Sequence, residues 1–225
     1  MFKIKSEVAE RNKTLLRKKE INKLRSDALA KFTGLTEENL NELLPSKGNV
    51  ERSKLMNKTI LYYVDGIPMF FDEHGRNRLY PTLQLLWRYP KAVRTLIIHS
   101  QVSKFVLNGA DLMLPGVALI EDQQSIEVGD ICSVRVYGNP LPFAIGQSTC
   151  SNEGILVNHR RGKALEVLSC FNDLLCGIGM DFTSLGPNSG FIFNNSVILP
   201  LEDHLDEYSD QYVEPEDSDN KNEEK

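Results

Sequence analysis

The 225-residue sequence contains no Cys-x-x-Cys pair. Its four cysteines, Cys132, Cys150, Cys170 and Cys176, fall at irregular spacings, and His74, His99, His159 and His204 are scattered. Zinc sites draw ligands from closely paired sets, so no metal is expected. Four thiols without a framework read as small buried side chains in a reducing compartment, and the expected location is the cytoplasm. Long apolar runs are also missing: Phe105-Val106-Leu107 is typical, far below the roughly 20 residues of a bilayer span. The start, Met1-Phe2-Lys3-Ile4-Lys5, has no apolar stretch after its lysines, unlike a secretory signal. There is no P-loop, no Gly-x-Ser-x-Gly, no His-Glu-x-x-His, and no Gly-x-Gly-x-x-Gly after a strand. The expectation is a protein that is not an enzyme and carries no cofactor, although catalytic groups can converge from distant positions without a motif.

What is present suits one large domain or two small ones. A hydrophobic fraction of 41% can fill a core. The net charge of −5 conceals an uneven distribution. Residues 202–225 hold eleven acidic and two basic residues, a balance of −9, which leaves the remainder at +4. The first 31 residues carry ten Lys/Arg against four Asp/Glu. A mildly basic body with an acidic tail is compatible with a nucleic-acid partner.

Ile21, Leu24, Ala28 and Phe32 share one helical face, which predicts a helix over 16–32 stopped by Gly34. A second, over 37–44, ends before Pro45. Residues 59–64 and 67–71, joined by Asp65-Gly66, predict a hairpin whose Pro68 suggests an edge strand. Residues 83–88 predict a short helix, and a domain boundary is expected near 94–100. Beyond it the pattern changes to short strands: 117–120, 131–137, 143–150 and 164–171, with glycine turns between them. Residues 108–111 predict the start of a small helix, broken by Pro115-Gly116. Such spacing argues a small barrel or pseudobarrel. The fold class is therefore α+β: an N-terminal α/β domain over 1–94, a β-pseudobarrel over 95–180, an uncertain extension over 181–201, and a disordered acidic tail over 202–225.

Two segments resemble a known family. Leu79-Tyr80-Pro81-Thr82-Leu83-Gln84-Leu85-Leu86-Trp87-Arg88-Tyr89-Pro90 is similar to the junction segment of the pre-PUA domain in the ligatin (eukaryotic translation initiation factor 2D) and malignant T-cell-amplified sequence proteins. Lys104-Phe105-Val106-Leu107-Asn108-Gly109-Ala110-Asp111-Leu112-Met113-Leu114-Pro115-Gly116 resembles the opening signature of their PUA domain, and its Asp-Leu-Met-Leu form looks closer to ligatin. The likeness covers about residues 1–178. It implies a translation initiation and recycling factor. Such a factor binds rRNA of the small (40S) ribosomal subunit and assists tRNA placement or release at the P site without GTP. Full ligatins continue into further domains. The expectation is an N-terminal fragment, a shorter isoform, or a protein that works with a C-terminal initiation-factor-one-like domain or a separate partner chain. An accessory subunit of an RNA-modifying enzyme and a protein-interaction scaffold are the alternatives.

The resemblance gathers the RNA-binding candidates at the second domain: Gly109, Ala110, Asp111, Pro115 and Gly116, where small residues permit close approach of RNA backbone, and His159, Arg160, Arg161 and Lys163 before the last strand. Lys104 and Arg135 would extend this surface. Alternatively these are a tight turn and a solvated loop. Asp111 is expected near a helix start, where a carboxylate favours the dipole. Arg88, Lys91 and Arg94 form a second basic group, facing rRNA or held in intramolecular salt bridges, with Arg76 and Arg78 upstream. Trp87 and Tyr89 either stack on bases or join the core. The basic first helix is a solvated face or a ribosome or partner contact.

Overall fold

In the computed structural model the described residues are 2, 3, 9, 12–45, 48–123, 125–156, 161–171 and 173–178. The expectations for residues 181–225 lie outside them.

The first domain is an antiparallel five-stranded sheet in sequential order, β1 (Thr14–Leu15), β2 (Val50–Lys54), β3 (Ile60–Val64), β4 (Ile67–Asp72) and β5 (Leu79–Pro81). Helices α1 (Lys18–Lys31) and α2 (Glu37–Leu43) lie between β1 and β2 in the chain, and α3 (Leu83–Arg88) follows β5. The α1 stripe behaves as its periodicity requires: Ile21, Leu24 and Ala28 are buried, and Phe32 closes the face. Thr36 starts α2 by accepting the Asn39 amide at 3.1 Å, while the Asn39 side chain accepts the Thr36 amide. At the β3–β4 turn both Asp65 (φ 49) and Gly66 (φ 83) are left-handed, the pair whose twist matches the flanking strands.

The expectation for Pro68 needs correction. Strand β4 is paired on both sides, with β3 and with β5. Pro68 is tolerated because it sits opposite Tyr63 beside a register shift, and β5 reaches only as far as Phe70.

Because side chains alternate along a strand, Phe70 and Phe71 serve opposite faces of the sheet. Phe70 stacks on Phe32 at 5.8 Å, under the helices. Phe71 meets Phe2 edge-on at 5.7 Å and Tyr80 at 5.2 Å, in a second core that also holds Leu61, Tyr63, Leu168 and Leu175. Leu168 and Leu175 come from the chain after the first domain, so the outer face of this sheet is covered by the second. Polar contacts cross the same joint. Buried Gln84 donates Nε2–H to the Cys176 carbonyl at 2.9 Å, Trp87 donates its indole N–H to Pro142 at 2.8 Å, and the Leu174 amide donates to Phe2. Trp87 is buried against Phe171, which settles its role in favour of the core.

The second domain is a six-stranded mixed sheet. Its strands are β6 (Arg94–Ile98), β7 (Leu112–Met113), β8 (Val117–Ile120), β9 (Ile131–Val136), β10 (Ala144–Ser148) and β11 (Lys163–Cys170), in the order β7-β11-β10-β9-β6-β8. Strands β6 and β9 run parallel. Two helices, α4 (Ser100–Leu107) and α5 (Asn152–Leu156), complete it. Alternating core positions such as Leu96, Ile98, Val134 and Val136 are buried.

Candidate nucleic-acid interface

Residues 108–111 do not start a helix; they end one. In α4, Ser103 and Val106 are buried while Lys104 and Phe105 face solvent. The Gly109 amide donates to Val106 and the Ala110 amide to Phe105. Gly109 takes φ 91, the left-handed value that closes a helix and suits glycine. Asp111 therefore follows a helix C-terminus and cannot serve a helix dipole in the expected sense. Its work is different. One carboxylate oxygen accepts the Val167 amide at 2.9 Å and the other pairs with Lys163 Nζ at 2.6 Å. Burial alone would raise this carboxyl, but the hydrogen bonds from Lys163 and Val167 outweigh burial and hold it below the usual carboxylate range. Lys163 is raised in turn by its bond to Asp111.

The same pairing joins two distant stretches. Met113 registers against Lys163, Leu112 against Leu165, and the Leu114 amide donates to the Gly162 carbonyl at 2.9 Å. Residues 109–116 and 161–163 thus form one edge of the sheet. Ala110, Met113, Pro115, Arg161, Gly162 and Lys163 are exposed along it, and α4 leads into it with Lys104 and Phe105. Phe105 is 55% and Met113 49% exposed, large apolar groups beside cations. Gly116 has a packing role. A Cβ there would stand 2.8 Å from Val102 Cγ1 and 3.2 Å from Leu112 Cδ1, so glycine lets α4 lie against this edge. His159 and Arg160 lie outside the described residues.

The other expected cations do not join this edge. Arg135 is on β9, separated from β11 by β10; it pairs with Glu121 at 2.6 Å and donates to the Asn139 carbonyl at 3.0 Å. Arg94 pairs with Asp130 at 3.4 Å, Lys91 with Asp122 at 3.4 Å, and Arg88 with Glu42 at 2.5 Å. Of the two readings of Arg88, Lys91 and Arg94, intramolecular salt bridges describe what is found. The carboxylates of Arg88 and Lys91 are 46 and 31 residues away in sequence, which no local pattern signals. Sequence reasoning also passed over Phe105 and Met113. Recognising α4 as a helix with Val102 and Val106 on its inner face would have put Phe105 outside.

Among the described residues no group of three or more His, Cys, Asp and Glu could hold a metal ion. Burial pushes the thiols of Cys132 and Cys170 up to about 12, so at neutral pH they are protonated and poor nucleophiles. No helix among the described residues is long and apolar enough to cross a membrane.

A helix-backed antiparallel sheet fused through a shared core to a six-stranded mixed sheet with a glycine-closed helix on its edge defines a protein of pre-PUA and PUA domains. Residues 3–90 match the family described as Pre-PUA-like domain, and residues 93–174 match the one described as elF2D, PUA domain. Eukaryotic translation initiation factor 2D of Mus musculus is 32% identical over 179 residues, 77% of this chain and 30% of that protein. Translation machinery-associated protein 20 of Eremothecium gossypii is 30% identical over 179 residues, 78% of this chain and 97% of that protein. The crystal structure of a hypothetical protein from Pyrococcus horikoshii OT3 superposes with a TM-score of 0.64 at 24% identity, over 75% of this chain and all of that one. The chain belongs to the pre-PUA and PUA family that these translation proteins share. It spans about 30% of the length of the initiation factor 2D relatives and nearly all of the shorter relative.

Proposed function

We propose that this chain is an RNA-binding factor of translation that docks on rRNA of the small (40S) ribosomal subunit and assists tRNA placement or release at the P site. It acts in the cytoplasm by binding alone, with no GTP hydrolysis or other catalysis. The observation that carries this reading is the β7–β11 pairing, which brings Ala110, Met113, Pro115 and Arg161 to one edge, with exposed Lys104 and Phe105 on the helix that leads into it. Arg161 and Lys104 have no ion-pair partner among the described residues, and phosphate is the natural ligand for such cations. Exposed Phe105 can stack on a base, a contact every base can make. Coverage of almost the whole of a translation machinery-associated protein supports the same reading. An initiation-factor-one-like domain, on this polypeptide or on a separate partner chain, supplies the remaining function of the longer relatives.

The ion pair to Asp111 changes which substitutions test this. Lys163→Glu would disturb the fold, so Lys104→Glu with Arg161→Glu is the cleaner pair, with Arg160→Glu as an addition. The double variant is expected to bind purified small subunits about 10-fold or more weakly near 0.1 M salt. Its log–log salt slope should be lower by about 1.5, from two lost contacts at roughly 0.7 to 0.9 each. Unchanged affinity and slope, with an unchanged circular dichroism spectrum, would remove this edge from the interface.

A further inference from the structure

We propose a second RNA-phosphate contact on the first domain, where β1 meets the start of α1, formed by Arg17, Lys18 and Lys19. This inference rests on the reading of the chain as an RNA-binding protein and extends its footprint to a surface that neither the junction motif nor the PUA signature contains.

Three observations carry it. The first is charge without neutralisation. No carboxylate among the described residues lies within ion-pair distance of Arg17, Lys18 or Lys19, whereas Arg88, Lys91, Arg94, Arg135 and Lys163 each have one. The adjacent Glu20 is already engaged. One of its oxygens accepts the Arg17 amide at 2.8 Å and the other pairs with Arg52 at 3.3 Å. The second is shape. An open cleft of about 780 Å³ is lined by Thr14, Leu15, residues 17–20 and Arg52, so the cations border a groove. The third is the state of the side chains. Arg17, Lys18 and Lys19 are all exposed, and long flexible stems allow each head to reach a separate phosphate.

A polyanion fits this groove better than a peptide strand. Among the described residues strand β1 pairs on one side only, with β2, but it is two residues long and offers too few backbone groups for an added strand to hold. Leu15, 67% exposed, is a lone apolar group on it. Phosphates along an RNA backbone require neither a long edge nor an apolar groove. They require unneutralised cations at the rim.

The test uses the full chain and the triple variant Arg17→Glu, Lys18→Glu, Lys19→Glu. Glutamates in a first helical turn suit the helix dipole, so α1 is expected to remain folded, and an unchanged thermal midpoint checks this. Binding is measured to purified small subunits and to deacylated tRNA across a salt series. The triple variant is expected to lose at least 10-fold in affinity for one of these RNAs near 0.1 M salt. Its slope should fall by about 2.1 to 2.7, from three contacts at roughly 0.7 to 0.9 each. If the wild-type chain binds neither RNA, the reading as an RNA-binding protein fails. If the wild type binds and the triple variant matches it in affinity and slope, that reading stands and this second contact is overturned. A third arm uses a synthetic peptide of residues 202–217, which is acidic and contains Leu205, Tyr208 and Tyr212. Loss of peptide binding with RNA binding intact would overturn the phosphate assignment in favour of an acidic protein ligand.

Discussion

Two basic regions of this molecule differ in what their cations face. On the second domain and its approach, Arg88, Lys91, Arg94, Arg135 and Lys163 each meet a carboxylate. At the start of α1, Arg17, Lys18 and Lys19 meet none among the described residues. Net charge treats the two regions alike, yet their consequences are opposite. A cation held by a neighbouring carboxylate positions backbone, as Asp111 and Lys163 do for β11. A cation without one offers its charge to a ligand. The β7–β11 edge lies between these cases, with Lys163 committed and Arg161 and Lys104 open.

The comparison is broken most severely by removing the close approach that builds the edge. Gly116→Val would drive side-chain atoms into Val102 and Leu112, where even a Cβ stands at 2.8 and 3.2 Å. We expect a loss of about 1–3 kcal/mol, at the upper end of that range for overpacking, read as a lower denaturant midpoint at constant slope. The same substitution should weaken RNA binding, because α4 would move off the edge that its Lys104 and Phe105 serve. A tolerated Gly116→Val would mean that helix and edge are independent.

Next in size is Asp111→Ala. It strips the Val167 amide of its acceptor and leaves Lys163 without a partner. We expect destabilisation of about 1–2 kcal/mol from the unmet amide in a strand. Lys163 would be released at the same time, so RNA affinity should hold or rise even as stability falls. A parallel fall in both would show Asp111 to be part of the ligand surface.

Much of the first domain was legible because its information is local. The α1 stripe, the end of α2 before Pro45 and the Asp65-Gly66 turn are each written within a few residues. The same holds for α3. What escaped reading depended on distant partners. Val50-Glu51-Arg52-Ser53-Lys54 is mostly polar and becomes a strand because β1 and β3 flank it. Residues 94–98, at the start of the stretch 94–100 where the domain boundary is expected, were not read as a strand; they form β6, paired with β8 and, in parallel, with β9. Helix α4 was missed because Ser103 is buried while Phe105 is exposed, which inverts the usual pattern. In the candidate site, the adjacency of residues 109–116 and 161–163 was expected from the family resemblance. The neutralisation of Arg135 by Glu121 and of Lys163 by Asp111 was not, since residue types do not disclose which carboxylate a cation will meet.

Acid titration sharpens the contrast with a smaller effect. The Asp111 carboxyl is held below its ordinary value in the folded chain, so its contribution is present above the unfolded value near pH 4. It is lost as pH falls through the lower folded-state value. Asp173 has the opposite sign. Burial is the largest influence and raises it, against bonds from the Cys176 amide, Ser169 and the Cys170 amide. Its contribution is full below about pH 4 and declines as pH rises through the raised value. Asp111→Asn should therefore flatten the acid limb of the stability profile near and below pH 4 while leaving the limb above it unchanged. An unaltered acid limb would show that the bonds of Asp111 to Lys163 and Val167 do not persist in solution.

The smallest effect is expected where pairing is most exposed. Arg88→Ala removes a guanidinium 39% exposed from a Glu42 that is 62% exposed. Solvent screens such a pair, and its loss should change stability by about 0.2–1 kcal/mol. Glu42→Ala carries the complementary information, because it leaves Arg88 in place and removes its neutralising partner. If pairing is what separates the two basic regions, Glu42→Ala should convert Arg88 into a cation of the Arg17 kind. RNA affinity would then rise and the salt slope steepen by about 0.7 to 0.9 if a phosphate comes within reach. A chain that gains nothing from Glu42→Ala, while losing affinity from charge reversal at Arg17, Lys18 and Lys19, would show that position on the molecule, and not pairing alone, selects the cations that meet RNA.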